Sequence, residues 1–208
     1  MVEQAIYFTS SSWIQQGSLP EGIQYSQEEF QELWEAHPAE LGKIKLFGKI
    51  IDTPRYQQTY LRNYQFTGLD HQSDRALPPL VQRLLDWTNR EPEWQDASNP
   101  NQFNQVLINW YQDGSHYIGP HSDSEKELIP NSPIFSLSLG ATRTFRLRKK
   151  VPKKTAGPIE RDFILGDNTY VVMGGTLQKT HKHEITKITG QSAKNIGPRI
   201  NITFRKFI

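Results

Sequence analysis

His121 and Asp123 stand two residues apart in Ile118-Gly-Pro-His-Ser-Asp123, ahead of the alternating stretch Ile134–Leu139. In extended backbone, side chains two apart point to one face, so this imidazole and carboxylate could reach one metal ion from a strand end. A second imidazole would complete a two-histidine, one-carboxylate set, which suits non-haem Fe(II) and keeps positions open for a co-substrate and oxygen. A plainer reading makes Asp123 the cap of a short helix over 124–128 and His121 a loop residue. The candidates for a third ligand are His181 and His183 in Gln178-Lys-Thr-His-Lys-His-Glu-Ile185. Cysteine is absent from the chain, so disulfides, thiolate zinc and iron–sulfur sites are excluded.

Two further polar sets share a strand face. Arg199, Asn201, Thr203 and Arg205 alternate with Ile200, Ile202 and Phe204, and Asn109 and Tyr111 alternate with Ile108 and Trp110. Such a face is ordinarily solvated. Beside a metal pair, the arginines would make a clamp for a carboxylate, which guanidinium binds with paired hydrogen bonds.

The elements that must position these groups are legible in part. Ser26 with Glu28 and Glu29 opens a helix that buries Phe30, Leu33 and Trp34 and ends at His37-Pro38, and Pro78-Pro79 opens a second that closes near Asn89. Residues 1–25 read as an irregular lead-in with no chemistry of their own. From Ile44 the pattern is extended, with Ile44, Leu46, Gly48 and Ile50 counted on the apolar face and Lys45, Phe47 and Lys49 opposite it. Asp52–Gln58 reads as a loop, and Tyr64 and Phe66 share a face of the strand that follows. Downstream, Gln105–Tyr111, Ile134–Leu139, Thr144–Arg148, Asp162–Leu165, Tyr170–Met173, a segment around His181–Ile185, and Ile200–Lys206 are short strands separated by glycine and proline turns. That rhythm predicts a mainly β, α+β chain: a sandwich or barrel behind a helical N-terminal third. His37, His71 and His116 read as a helix-end histidine and two surface loop histidines.

At 208 residues the chain can bury roughly 70 % of its unfolded surface as one continuous domain. Its apolar runs are too short to cross a bilayer, and the N-terminus lacks a signal sequence, which points to a soluble intracellular monomer. A net charge of +2 announces no polyanion partner by itself. The charge is uneven, however: Arg143, Arg146, Arg148, Lys149, Lys150, Lys153 and Lys154 follow one another without an intervening acid.

Taken in order, Asn109-x-Tyr111-x-Asp-Gly, His121-x-Asp123-x-Glu125, Ser138-Leu-Gly140, Phe145-x-Leu-Arg, Gly166-Asp167, the His183 segment and Pro198-Arg199-x-Asn201-x-Thr203-Phe-Arg205 resemble the AlkB family of Fe(II)- and 2-oxoglutarate-dependent nucleic-acid dealkylases, most closely the branch that repairs double-stranded DNA. The match covers about residues 44–208. It implies a double-stranded β-helix, or jelly roll, with a lead-in and helix over 1–43, a nucleotide-recognition lid with its supporting helix over 44–104 and a catalytic core over 105–208. It also implies Fe(II) on His121, Asp123 and His183, with His181, where the family commonly has tryptophan, as the alternative ligand or a neighbour of the true one. By the same resemblance Arg199 meets the distal carboxylate of 2-oxoglutarate, supported by Asn109, Tyr111, Asn201, Thr203 and Arg205, and Arg205 could also contact Asp123. Glu125 would read the exocyclic amine of a base stacked between the Tyr64 and Phe66 lid and His121. Leu46-Phe47-Gly48-Lys49 would be the finger that fills the vacated stack, and Arg148, Lys149, Lys150, Lys153 and Lys154 a loop that grips phosphates.

The activity implied is oxidative dealkylation of bases such as 1-methyladenine and 3-methylcytosine. With Fe(II), O2 and 2-oxoglutarate the alkyl carbon is hydroxylated, and succinate, carbon dioxide and formaldehyde are released. Duplex DNA is the implied partner, which places the protein in the nucleus of a eukaryote or the cytoplasm of a prokaryote. Two rivals remain at this point: the same oxygenase chemistry on RNA, protein or a small molecule, and a non-enzymatic β-roll that binds polyanions.

Overall fold

The computed structural model describes residues 4–46, 48–66, 69–73, 75–94, 102–123, 126–152 and 156–208, the side chains of 46, 64, 65, 66 and 93 excepted. The strands in chain order are β1 (Ile6–Tyr7), β2 (Ser12–Ser18), β3 (Lys43–Leu46), β4 (Lys49–Asp52), β5 (Tyr56–Tyr60), β6 (Tyr64–Phe66), β7 (Leu69–His71) and β8 (Gln105–Tyr111). They continue as β9 (Ile118–His121), β10 (Ile134–Gly140), β11 (Arg143–Lys149), β12 (Ile159–Leu165), β13 (Thr169–Gly175), β14 (His181–Ile185) and β15 (Arg199–Arg205). The helices are α1 (Gln27–Glu35), α2 (Pro79–Thr88) and two single turns, α3 (Leu177–Thr180) and α4 (Gln191–Lys194).

Two antiparallel sheets carry the fold. The larger runs β1-β2-β13-β10-β15-β8-β5 and the smaller β12-β11-β14-β9. Strands distant in sequence lie side by side, β8 against β15 and β9 against β14, as the jelly roll requires. Apolar residues fill both sides of the large sheet. Val106, Ile108 and Trp110 of β8, with Ile200, Ile202 and Phe204 of β15, face a core closed by α1, α2 and Trp94. Phe145 and Leu147 of β11, with Ile134, Val171 and Met173, form a second core between the sheets.

Both long helices begin where the sequence placed them. Ser26 and Glu29 make reciprocal capping bonds at the start of α1, and Pro79 occupies the first turn of α2, where a missing N–H costs nothing.

Other expectations require correction. Residues 12–18 are no irregular lead-in: β2 pairs with β13 along its length, and Ile14 is fully buried. Its pattern is masked because the buried Ser12 spends its hydroxyl on Thr176 and Thr180 instead of water. The extended stretch from Ile44 is a hairpin, with Leu46 paired to Lys49 and Gly48 at φ 79°, a conformation glycine adopts without steric cost. Counting Gly48 as an apolar position hid the turn, and Ile50 and Ile51 are exposed. Asp52–Gln58 is only partly a loop, since β5 begins at Tyr56 and pairs with β8. His71 lies on strand β7 opposite Tyr64.

The basic run is divided as well. Arg143 is buried, its guanidinium donating to the carbonyls of Asp113, Gly114, His116 and Thr186. Arg146 pairs with Asp162 and Arg148 with Glu184 across neighbouring strands, so Arg148 belongs to β11 and not to a loop. Lys150 Nζ donates to Gln178 O at 2.6 Å. Lys153 and Lys154 lie outside the described residues, as do Phe47 and Glu125.

Candidate metal centre and co-substrate cavity

The pairing of β9 with β14 sets His121 directly opposite His183. Their rings are 4.2 Å apart, and the His183 ring stacks on Phe145 at 5.3 Å. Past the end of β9, Ser122 Oγ donates to His181 O and Asp123 N donates to Gln178 Oε1, which ties the segment down and turns the Asp123 side chain inward. The carboxylate is 2 % exposed. Its Oδ2 accepts from Arg205 Nε at 3.0 Å and lies 2.9 Å from Arg205 Nη2 in an ion pair. Its Oδ1 lies 3.7 Å from His121 Nε2 and 4.0 Å from His183 Nε2 and has no hydrogen-bond partner among the described residues.

His121, Asp123 and His183 form a group of metal-ligating side chains whose donor atoms lie within 4.8 Å of one another. His181 stands outside it, its Nδ1 held by Thr180 Oγ1 at 2.8 Å and its ring against Phe8. Burial depresses both imidazoles, His183 to about 3, with the neighbouring His121 adding to the effect. Burial alone would raise the Asp123 carboxyl, but Arg205 and the two imidazoles outweigh it and hold it at about 2. Two neutral imidazoles and one carboxylate with an oxygen to spare are the protonation states a divalent cation needs. The donor set, two nitrogens and one oxygen without sulfur, fits Fe(II).

A cavity between the sheets opens from this cluster toward the opposite end of β15. Arg199 is 1 % exposed, sits 5.0 Å from the centre of the Tyr111 ring, and donates from Nη2 to Ser138 Oγ at 2.6 Å. Its Nε and Nη1 have no hydrogen-bond partner among the described residues. Burial lowers its affinity for the proton, to a pKa of about 10, which still leaves it a cation at neutral pH. A buried guanidinium with unused donors is costly to keep and suits an anionic ligand. Asn201 bonds Ser136 Oγ and Leu137 O, Thr203 bonds Asn201, and Asn109 Oδ1 accepts from Arg55 Nε at 2.9 Å.

The sequence therefore pointed to nine residues that the fold brings to one cavity: Asn109, Tyr111, His121, Asp123, His183, Arg199, Asn201, Thr203 and Arg205. It missed Arg55 and Gln57, which line the same cavity from β5 and its approach, and Gln105 and Gln178, which hold Arg205 and Asp123. Only the alternation of Arg55, Gln57 and Thr59 could have revealed the first two. Gly48 and Lys49 are exposed at the tip of the β3–β4 hairpin, and Lys149 is exposed at the end of β11.

Residues 9–205 match the family model of the 2OG-Fe(II) oxygenase superfamily. The chain belongs to that superfamily. Its chemistry uses Fe(II), 2-oxoglutarate and O2, and the protein is a dioxygenase. Among curated proteins, the human DNA oxidative demethylase ALKBH2 is 33% identical over 192 residues, covering 87% of this chain and 68% of that protein. The mouse alpha-ketoglutarate-dependent dioxygenase alkB homolog 3 is 37% identical over 123 residues, covering 57% and 41%. The solved structure of OsALKBH1 superposes with a TM-score of 0.59 at 14% identity over 98% of this chain and 100% of that one, a likeness of fold. No helix among the described residues of this oxygenase is long and apolar enough to cross a membrane.

Proposed function

We propose that this dioxygenase removes alkyl groups from the ring nitrogens of DNA bases, with duplex DNA as its substrate and the monomer as its working form. Its ALKBH2 and alkB homolog 3 relatives support the substrate class. The observation that carries the reading is the pair of unmet needs in one cavity: an unpartnered Asp123 oxygen between two imidazoles, and an unpartnered side of Arg199. His121, Asp123 and His183 would hold the iron. Arg199 would take the distal carboxylate of 2-oxoglutarate, with Tyr111 against it and Asn109, Asn201 and Thr203 alongside.

When bound, the iron and co-substrate supply the oxidant that hydroxylates the N-alkyl carbon, after which formaldehyde leaves. The remaining work is done by the chain. Arg205 fixes the Asp123 carboxylate by a hydrogen bond from Nε within a close ion pair, Gln105 Oε1 accepts from Arg205 Nη1, and the two sheets exclude water around the co-substrate. Glu125 would read the exocyclic amine and Tyr64, Phe66 and His121 would stack the extruded base, whose removal from the helix costs least when alkylation has already weakened its pairing. Phe47, with Gly48 and Lys49, would fill the gap. Lys149, Lys150, Lys153 and Lys154 would meet phosphates, with Arg148 doing so only while paired to Glu184. Action on DNA puts the protein in the nucleus of a eukaryote or the cytoplasm of a prokaryote.

Formaldehyde release from a 1-methyladenine duplex, dependent on both Fe(II) and 2-oxoglutarate, tests the reading. His121→Ala and Asp123→Ala should abolish release while DNA binding persists; undiminished turnover in both refutes it. Equal rates on RNA or on unmodified protein substrates would transfer the activity to another substrate class.

A further inference from the structure

The polar row on the large sheet continues past Asn109. Gln57, Asn109, Asn201 and Ser138 oppose one another in register on β5, β8, β15 and β10. Asn109 and Asn201 have their acceptors occupied, by Arg55 Nε and Thr203 Oγ1. Gln57 differs. Its Nε2 lies 3.4 and 3.5 Å from the ring nitrogens of His71, while its Oε1 is buried, without a hydrogen-bond partner among the described residues, in the cavity that holds Arg199 and Asp123. The amide nitrogen is turned toward the His71 ring, whose neutral form, favoured by burial, has an acceptor nitrogen for it, and the amide oxygen stands on the cavity side.

An unpaired buried amide oxygen is a cost that a folded chain keeps where a ligand removes it. 2-Oxoglutarate cannot, because two carboxylates and a ketone only accept. The other substrate can supply that donor.

We infer that Gln57 Oε1 accepts an N–H from the exocyclic amine of the alkylated base, so that Gln57 selects amino-bearing lesions over keto ones. The inference rests on the dealkylase reading of the site. A base with a carbonyl at that position would set two acceptors face to face, a repulsion that excludes as well as an attraction that admits.

The pair 3-methylcytosine and 3-methyluracil isolates the group, since the methyl sits on the same ring nitrogen and only the amine or carbonyl at position 4 differs. Single-stranded oligonucleotides carrying each remove the cost of opening a duplex. kcat/KM is measured for the iron-loaded wild type, Gln57→Met and Gln57→Glu, together with the affinity of the Mn(II)- and 2-oxoglutarate-loaded proteins for both strands. The ratio of the two lesions is internal to each variant, so a loss of folded protein cancels.

Gln57→Met, similar in shape but without the acceptor, should lower the 3-methylcytosine preference about tenfold in turnover and in binding. Gln57→Glu, which keeps an acceptor, should retain it. An unchanged ratio in Gln57→Met, even with both activities reduced together, overturns the assignment of Gln57. A wild type that makes succinate but dealkylates neither strand contradicts the dealkylase reading instead and takes this inference with it.

Discussion

Strand β15 buries both of its faces, and the two do opposite things. Ile200, Ile202 and Phe204 are wholly buried under the helices, while Arg199, Asn201, Thr203 and Arg205 are at most 8% exposed on the cavity side. The apolar face gains from leaving water, at about 1.5–3 kcal/mol per large side chain. The polar face must be repaid bond by bond, and it is repaid incompletely: among the described residues Arg199 Nε and Nη1 stay unpartnered, as do Asp123 Oδ1 and Gln57 Oε1 elsewhere in the same cavity. One face makes the fold stable. The other accepts a penalty that ligands are expected to relieve.

That contrast can be broken by substitution. Phe204→Ala, on the apolar face, should cost about 3–5 kcal/mol in urea unfolding and cost the same with or without metal and 2-oxoglutarate. A cost that depended on ligands would erase the distinction between the faces. Arg205→Met leaves Asp123 buried without its cation and should destabilise the metal-free protein by about 3–5 kcal/mol, less once a divalent ion takes over the charge. Equal losses with and without the ion would mean that Arg205 serves only the fold.

Arg199→Leu should change metal-free stability by under about 1 kcal/mol, because a half-satisfied buried cation is exchanged for packing. Its effect should appear in the KM for 2-oxoglutarate, raised at least tenfold. An unaltered KM would remove the clamp.

On the partly exposed side of α1, Glu29 pairs with Arg83 at 2.6 Å. The hydrogen bond from Arg83 holds the Glu29 carboxyl below its usual value. Its stabilisation is therefore present at neutral pH and lost as pH falls through that lowered value. Glu29→Gln should lower stability by no more than about 1 kcal/mol at pH 7, with the difference vanishing under acid, as thermal melts at both pH values can verify.

Much of this was readable from residue types, and the failures have physical causes. The alternation in β8 and β15 named both faces because one carries only branched and aromatic residues. It could not say which face pointed inward, since buried and solvated polar rows look alike in sequence. The capping residues of α1 and the prolines that open α2 act within a turn and were legible for that reason. β2 was lost because Ser12 is buried by hydroxyl pairing, and the β3–β4 turn because Gly48 was counted as an apolar position. The basic run misled in a third way: Arg146 and Arg148 find their acids on β12 and β14, at distances in the chain that no local charge pattern reveals.

The account depends on which imidazole completes the cluster. Anaerobic Fe(II) titration in the presence of 2-oxoglutarate should give one metal per chain for the wild type and for His181→Ala, and none for His183→Ala or Asp123→Ala. Metal retained by His183→Ala but lost from His181→Ala would contradict it.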